Sequence, residues 1–161
     1  MSIRNDLLEN LFAQAQGLIK GKFALTVNEA LSPGESFDLA INTNDKDLVL
    51  SDFILNSNSN DVRVEMYEGS VFSGGELLQP EAIDRTTLET FPAITLNPTV
   101  SDLGVLVFTS THYDGTNSGF SRAIGSAGVV KFKQNTGYIT RITNQSNQPG
   151  NVEAGLAGYE E

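Results

Sequence analysis

The sequence contains no cysteine, no tryptophan and a single histidine, His112. The lack of cysteine excludes disulfides, thiolate metal sites and cysteine nucleophiles. A serine or threonine nucleophile would need His112 as its base, and a lone histidine in a predicted loop is more often a solvated side chain. The chain also has no Gly-x-Ser-x-Gly elbow and no Gly-Lys-Ser/Thr phosphate loop. We therefore expect no enzyme, no catalytic residue and no cofactor.

Acidic residues are frequent, but their spacing does not predict a catalytic or metal site. Paired carboxylates can cleave glycosidic bonds, yet without tryptophan we find no aromatic pocket that would raise the pKa of one of them. The segment that begins at Asn42 resembles the start of a calcium loop, but it places Lys46 at the third ligand position. We therefore expect no metal site.

Basic residues are scarce, since ten Lys and Arg face twenty Asp and Glu, giving a formal charge of −10. This charge repels a phosphate backbone, so we expect no nucleic-acid partner. No run of roughly eighteen apolar residues occurs, so we expect no membrane span. Asp6, Glu9 and Asn10 interrupt the stretch that a secretion signal would need, and we expect synthesis in a cytoplasm.

The first residues differ in pattern from the rest of the chain. Apolar residues recur at helical spacing over residues 3–20, Ser2 can cap the start, and Gly21 follows the end. We predict an amphipathic helix in an N-terminal arm, residues 1–21. Two interpretations stay open: the apolar stripe packs on its own domain, or it docks on a neighbouring subunit.

From residue 22 to residue 161 the apolar period is two, which predicts strands buried on one face. Examples of this alternation are Phe23, Leu25 and Val27, then Phe37, Leu39 and Ile41, then Val62, Val64 and Met66. Turn signals such as Ser32-Pro33-Gly34 separate the strands. The fold class is therefore all-β, a single antiparallel sandwich or barrel of the size of one domain.

Residues 47–55 and 102–109 are more continuously apolar, and we expect both strands to be covered on two faces. The second cover would come from a loop, the N-terminal helix or another subunit, which is an indication of oligomerisation. Two long connections, Ser70–Pro92 and Ser110–Ala127, are predicted as loops. The first holds a predicted turn of helix at 80–84, and the second a short strand at 119–124.

Three blocks of sequence resemble a family of capsid decoration, or cement, proteins of tailed bacteriophages. The blocks are Met66-Tyr67-Glu68-Gly69, then Leu96-Asn97-Pro98-Thr99-Val100, then Asn135-Thr136-Gly137-Tyr138 running on to Thr143-Asn144 and the terminal Tyr159-Glu160. The resemblance implies a jelly-roll-like β-sandwich that binds the capsid exterior of a virion. It further implies that the protein is made in the host cytoplasm, bridges neighbouring major capsid proteins and stabilises the head against internal DNA pressure.

We assign the capsid or oligomer interface to apolar residues of the predicted helix: Leu7, Leu8, Leu11, Phe12, Leu18 and Ile19. For self-association we favour a trimer, since decoration proteins tend to occupy local three-fold positions, with a dimer as the alternative. A rival function is a receptor-binding, head-fibre or tail module that contacts host glycan through Tyr113, Asp114 and Asn117. Family-like positions near the C-terminus are assigned to fold maintenance: Asn135, Thr136, Tyr138, Arg141, Thr143 and Asn144.

Overall fold

A computed structural model describes residues 23–58, 61–82, 91–113, 120–123 and 130–160. Within those ranges every regular element is a β-strand. In chain order they are β1 (Phe23–Leu31), β2 (Ser36–Asn42), β3 (Leu48–Ser57), β4 (Asp61–Glu68), β5 (Val71–Ser73), β6 (Glu76–Leu78), β7 (Glu81–Ala82), β8 (Ala93–Leu96), β9 (Thr99–Asp102), β10 (Val105–Tyr113), β11 (Phe120–Ala123), β12 (Val130–Phe132), β13 (Gly137–Asn144) and β14 (Gly150–Glu160). The described part of the chain contains no helix that could span a membrane.

The strands form two six-stranded antiparallel sheets and a small two-stranded sheet of β5 and β9. In sheet A the order is β11-β3-β14-β1-β7, and β12 also pairs with β3; in sheet B it is β10-β4-β13-β2-β8-β6. The long strands pair in a nested way, because β1 pairs with β14, β2 with β13, β3 with β11 and β12, and β4 with β10. This nested winding between two sheets is the topology of a jelly roll.

One apolar core lies between the two sheets. Side chains that alternate along the strands fill it, including Phe23 and Val27 from β1 and Leu156 from β14 in sheet A. Sheet B contributes Phe37 from β2 and Val64 from β4. The alternation predicted for β4 is confirmed, since Val62, Val64 and Met66 are buried between partly exposed neighbours. In β1, Phe23 and Val27 are buried as predicted, whereas Leu25 is only partly buried. The prediction of an all-β antiparallel sandwich is therefore confirmed.

Two strands differ from their predicted burial. In β2 all residues from Phe37 to Ile41 are buried rather than alternate ones, because β2 lies inside sheet B between β13 and β8. The opposite holds for residues 102–109, which were expected to be covered on both faces. Here Val105, Leu106, Val107 and Phe108 are all exposed, because β10 is an edge strand.

The long connections contain more strand than predicted. Glu81–Ala82 forms β7, so the helical turn expected at 80–84 is wrong over these residues, and the rest of it lies outside the described residues. Ser110–Tyr113 continues β10 instead of opening a loop. The short strand expected at 119–124 is confirmed as β11. The predicted N-terminal helix lies outside the described residues.

The residues assigned to fold maintenance fulfil that role. Asn144 is fully buried, and its side-chain amide donates to the carbonyl oxygens of Leu31 (3.1 Å) and Gln148 (2.9 Å). Its side-chain oxygen accepts hydrogen bonds from the backbone N–H and the hydroxyl of Ser146. Asn135 adopts a φ of 50° in the turn before β13, a left-handed conformation that asparagine tolerates. The contacts of Asn144 therefore tie two turns, the one after β1 and the one before β14, to the end of β13.

Candidate functional site

Strand β10 carries the longest run of exposed large apolar residues among the described residues. Four consecutive residues are exposed, with relative accessibilities of 69% for Val105, 45% for Leu106, 51% for Val107 and 37% for Phe108. Strand β10 contains no Asp, Glu, Lys or Arg, in a chain whose formal charge is −10. Scattered single apolar residues are ordinary on a protein surface, whereas a contiguous patch marks a contact site.

The edge position of β10 adds unpaired backbone groups to this surface. Along one side β10 pairs with β4, and no other described strand pairs with its second side. Natural edge strands are usually protected by charged side chains, proline or a bulge. Strand β10 has neither a charge from Asp, Glu, Lys or Arg nor a proline, but it has a bulge.

The bulge lies at Val107, and it turns the adjacent side chains of Val107 and Phe108 toward the same cavity. Leu106 pairs with Tyr67 and Phe108 pairs with Met66, so Val107 is the extra residue. Directly opposed residues in antiparallel strands point to the same face, so Phe108 shares the core-facing side of Met66. Val107 lines the same cavity as Phe108. A regular strand would have pointed these two side chains to opposite faces.

The cavity, here called the β10–β12 cleft, opens between the edge of sheet B and strand β12 of sheet A. Its volume is about 310 Å³. It is lined by Met66, Glu68, Val107, Phe108, Val130, Lys131, Phe132 and Tyr138. Six of these eight residues are apolar or aromatic, so the cleft favours an apolar occupant.

The floor of the cleft is rigid because Tyr138 is held on three sides. Its ring stacks on Phe132, with centroids 4.0 Å apart and an interplanar angle of 9°. Its hydroxyl donates to Glu68 Oε2 (3.2 Å) and accepts the backbone N–H of Lys133 (2.8 Å). The side chain is only 2% exposed. These contacts therefore fix the position of the Tyr138 ring at the floor of the cleft.

The charged residues beside the cleft are paired with each other. Lys133 Nζ lies 2.5 Å from Glu68 Oε1, and Lys131 Nζ lies 3.2 Å from Asp47 Oδ2. The hydrogen bond from Lys133 holds the pKa of the Glu68 carboxyl below its usual range, and the bond from Lys131 does the same for Asp47. Burial raises the pKa of the Tyr138 phenol. The carboxylates of Glu68 and Asp47 therefore stay ionised at neutral pH, and each is paired with the lysine beside it.

Of the residues predicted from sequence as functional, only Tyr113 lies among the described residues. Leu7, Leu8, Leu11, Phe12, Leu18 and Ile19 lie outside the described residues, as do Asp114 and Asn117. Tyr113 ends β10, where its backbone pairs with Asp61, and so belongs to a strand rather than a loop. Among the described residues, no group of three or more His, Cys, Asp or Glu side chains could hold a metal ion.

The sequence pattern predicts residues 102–109 as an apolar strand covered on both faces, and not as an exposed surface. The available signal was the apolar run from Val105 to Phe108, because charge-free runs of similar length also occur at residues 90–101 and 142–152. The sequence signal does not reveal that this strand lies at the edge of a sheet. That position depends on the pairing of residues far apart in the chain, such as Thr109 with Glu65.

Comparison with known proteins gives only distant likenesses. No family model and no curated protein matches the sequence. Among solved structures the chain is similar to the mavirus penton protein, with 9% identity and a TM-score of 0.30 over 86% of this chain and 99% of that one. Two structures of infectious bursal disease virus are further away. The structure of the VP2 protein has 9% identity and a TM-score of 0.16, over 85% of this chain and 40% of that one. The structure of the Gx strain has 9% identity and a TM-score of 0.15, over 85% of this chain and 39% of that one. TM-scores this low carry no argument about function, which has to be inferred from the chain's own residues.

Proposed function

We propose that this protein is a structural component of a virion. It binds the outer surface of a phage capsid, bridges neighbouring major capsid proteins and stabilises the head against internal DNA pressure. The observation that carries the proposal is the exposed, uncharged apolar surface of β10 and its cleft on a rigid, acidic sandwich. The resemblance of three sequence blocks to phage decoration proteins supplies the biological context.

The blocks that carry the resemblance are framework positions in the fold. Gly69, which ends the first block, has a φ of 77° at the turn after β4. In the second block Asn97 has a φ of 48°, and its side-chain oxygen accepts the backbone N–H of Asp38. In the third block the Thr136 N–H donates to the Thr43 hydroxyl at 2.9 Å. A resemblance at such positions supports a shared sandwich, and the role on a capsid is our inference from it.

A cement function needs a stable body and contact surfaces rather than an active site. Many identical copies on a lattice gain affinity from multivalency, so each individual interface can be small. The sandwich meets the first requirement through its single core and nested strand pairing. The β10 surface meets the second, and we propose the helix residues Leu7, Leu8, Leu11, Phe12, Leu18 and Ile19 as a further contact to capsid or to a second copy.

Self-association belongs to the same proposal. Two sandwiches with strong like charge repel one another, so contacts between copies have to lie where charge is absent. The apolar residues of the predicted N-terminal helix provide such contacts. We favour a trimer at local three-fold positions of the capsid, with a dimer as the alternative.

The test is cryo-electron microscopy of the virion that carries this protein, with copies counted and located. We expect density for the sandwich at regular positions over the whole exterior of the head. Density confined to a fibre or the tail would overturn the capsid role and would favour host recognition. Absence of the protein from purified virions, checked by mass spectrometry, would overturn any structural role.

A further inference from the structure

We propose that the β10–β12 cleft is the binding site for the apolar residues of this chain's own N-terminal segment, residues 1–22. The segment comes from the same copy or from a neighbouring one. This inference concerns contacts within or between copies of the chain and stands whether or not the protein binds a capsid.

The cleft itself selects for apolar side chains. Val107, Phe108 and Val130 form its walls, and the buried rings of Phe132 and Tyr138 lie beneath them. The volume of about 310 Å³ lies at the lower end of the range for small-molecule pockets, which start at about 300 Å³. The charged groups at its rim, Glu68 and Lys131, are already engaged with lysine and aspartate partners. A few apolar side chains from a peptide segment fit this description better than a polar ligand does.

Residues 1–22 supply such side chains. Their apolar residues recur at the spacing of one helical face, and amphipathic helices bind grooves through residues at i, i+3, i+4 and i+7. The members of this stripe are Ile3, Leu7, Leu8, Leu11, Phe12, Ala15, Leu18 and Ile19. The stripe supplies enough apolar side chains to fill the cleft, and Val105 and Leu106 of β10, which do not line the cleft, stay exposed for other contacts.

Charge distinguishes this segment from the rest of the chain. It holds three basic residues, Arg4, Lys20 and Lys22, against two acidic ones, Asp6 and Glu9, a formal charge of +1. Because the whole chain carries −10, the other residues carry −11. The segment is therefore attracted to the sandwich by the same charge that repels a second sandwich. A rival occupant, the β10 strand of another copy, would bring two bodies of like charge edge to edge.

The segment can reach the cleft from where it joins the sandwich. The strand register places Phe23 beside Gly158, Gly158 beside Leu50, and Leu50 beside Val130. Val130 thus lies three strand spacings from Phe23, roughly 14 Å across sheet A. As a helix, residues 3–20 span roughly 27 Å at 1.5 Å per residue, which exceeds this distance, so the segment can reach the cleft of its own sandwich.

Hydrogen exchange on the full-length protein tests the proposal. The double variant Leu8→Glu/Leu11→Glu disrupts the stripe, and Asn5→Glu/Gln16→Glu adds the same charge on the polar side of the predicted helix. We expect amides of β10 to exchange roughly tenfold faster in the first variant than in the native chain, with β6 as the internal reference. The second variant should behave like the native chain. Equal β10 exchange in the native chain and the stripe variant would overturn the proposal.

Cross-linking then identifies which copy supplies the segment. The chain has no cysteine, so Leu11→Cys combined with Val107→Cys introduces the only thiols. A disulfide within one chain, or between two chains that carry one substitution each, supports the proposal and assigns the donor copy. Leu77→Cys, exposed on β6 at 59%, replaces Val107→Cys as the matched control. The cleft would be overturned as the site if Leu11→Cys cross-linked equally well to positions 77 and 107. This holds even if the stripe variant changed the exchange of β10.

Discussion

Arg141 and Asp38 form a two-pronged ion pair across strands β13 and β2. Arg141 Nε donates to Asp38 Oδ1 and Nη2 donates to Oδ2, both at 2.8 Å. The two residues are direct register partners, and their side chains are 29% and 12% exposed. A guanidinium matches a carboxylate with two parallel bonds, which a lysine ammonium cannot do.

We therefore expect Arg141→Lys to lower the free energy of unfolding by about 1–2 kcal/mol, because one charged hydrogen bond in a largely desolvated place is lost. Urea denaturation of both proteins measures the difference. Arg63→Lys, at a more exposed pair with Glu65, is the matched control and should cost about 0.5 kcal/mol or less. Equal losses in the two variants would show that the bidentate geometry contributes nothing.

Asn144→Asp should be among the most damaging conservative substitutions in this chain. The side-chain NH₂ that bonds the carbonyl oxygens of Leu31 and Gln148 would be replaced by an oxygen that faces them. The two carbonyl oxygens would lose their donor and would face a carboxylate oxygen instead. We expect this to lower the free energy of unfolding by about 3 kcal/mol. Thermal unfolding measures the loss, and Asn151→Asp at an exposed position of β14 provides the control. An unchanged melting temperature for Asn144→Asp would contradict the role assigned to this amide.

Gly137→Ala tests the close approach of two chain segments. A Cβ at residue 137 would collide with the carbonyl oxygen of Ser70, whose N–H bonds to the Gly137 carbonyl at 2.9 Å. We expect a loss of about 2–3 kcal/mol from overpacking against backbone. Gly155→Ala is the matched control in β14, because its nearest neighbours would lie 3.9 Å away. It should be neutral or slightly stabilising, since glycine weakens a strand interior.

The Glu68–Lys133 pair should make the free energy of unfolding fall as the pH falls. Because Lys133 lowers the pKa of folded Glu68 below the unfolded value of about 4.3, this carboxylate stabilises the protein above that pH. Its contribution is lost as the pH falls through the folded pKa. We expect Glu68→Gln to flatten the fall of the unfolding midpoint between about pH 5 and pH 3. Glu76→Gln on exposed β6 is the control, and an identical acid profile for native protein and Glu68→Gln would contradict the assignment.

Much of the fold could be predicted from local pattern. Alternation predicts β1 and β4, the Ser32-Pro33-Gly34 turn separates β1 from β2, and the turn residues around Asn144 predict that its side chain bonds to the backbone of a turn. These features depend on neighbours in sequence, since side chains alternate along a strand and turn residues act within a few positions.

What could not be predicted depends on where a strand lies in its sheet. Apolar runs in β3 and β10 look alike, yet Leu48–Leu50 is buried and Val105–Phe108 is exposed. The difference arises because β3 lies between β14 on one side and β11 and β12 on the other, whereas β10 ends sheet B. The candidate site was missed for the same reason, because both the edge and the bulge at Val107 are set by pairing with β4.

The pairing of β1 with β14 has a consequence for the order of the chain. Phe23 lies opposite Gly158 at one end of that pair, and Leu31 lies opposite Gly150 at the other. The first and last described strands are neighbours, so the nested pairs would be unchanged if the polypeptide were closed there and reopened at the Ser32–Glu35 turn. The pattern of pairing among the described strands therefore does not depend on at which of these two places the chain is open.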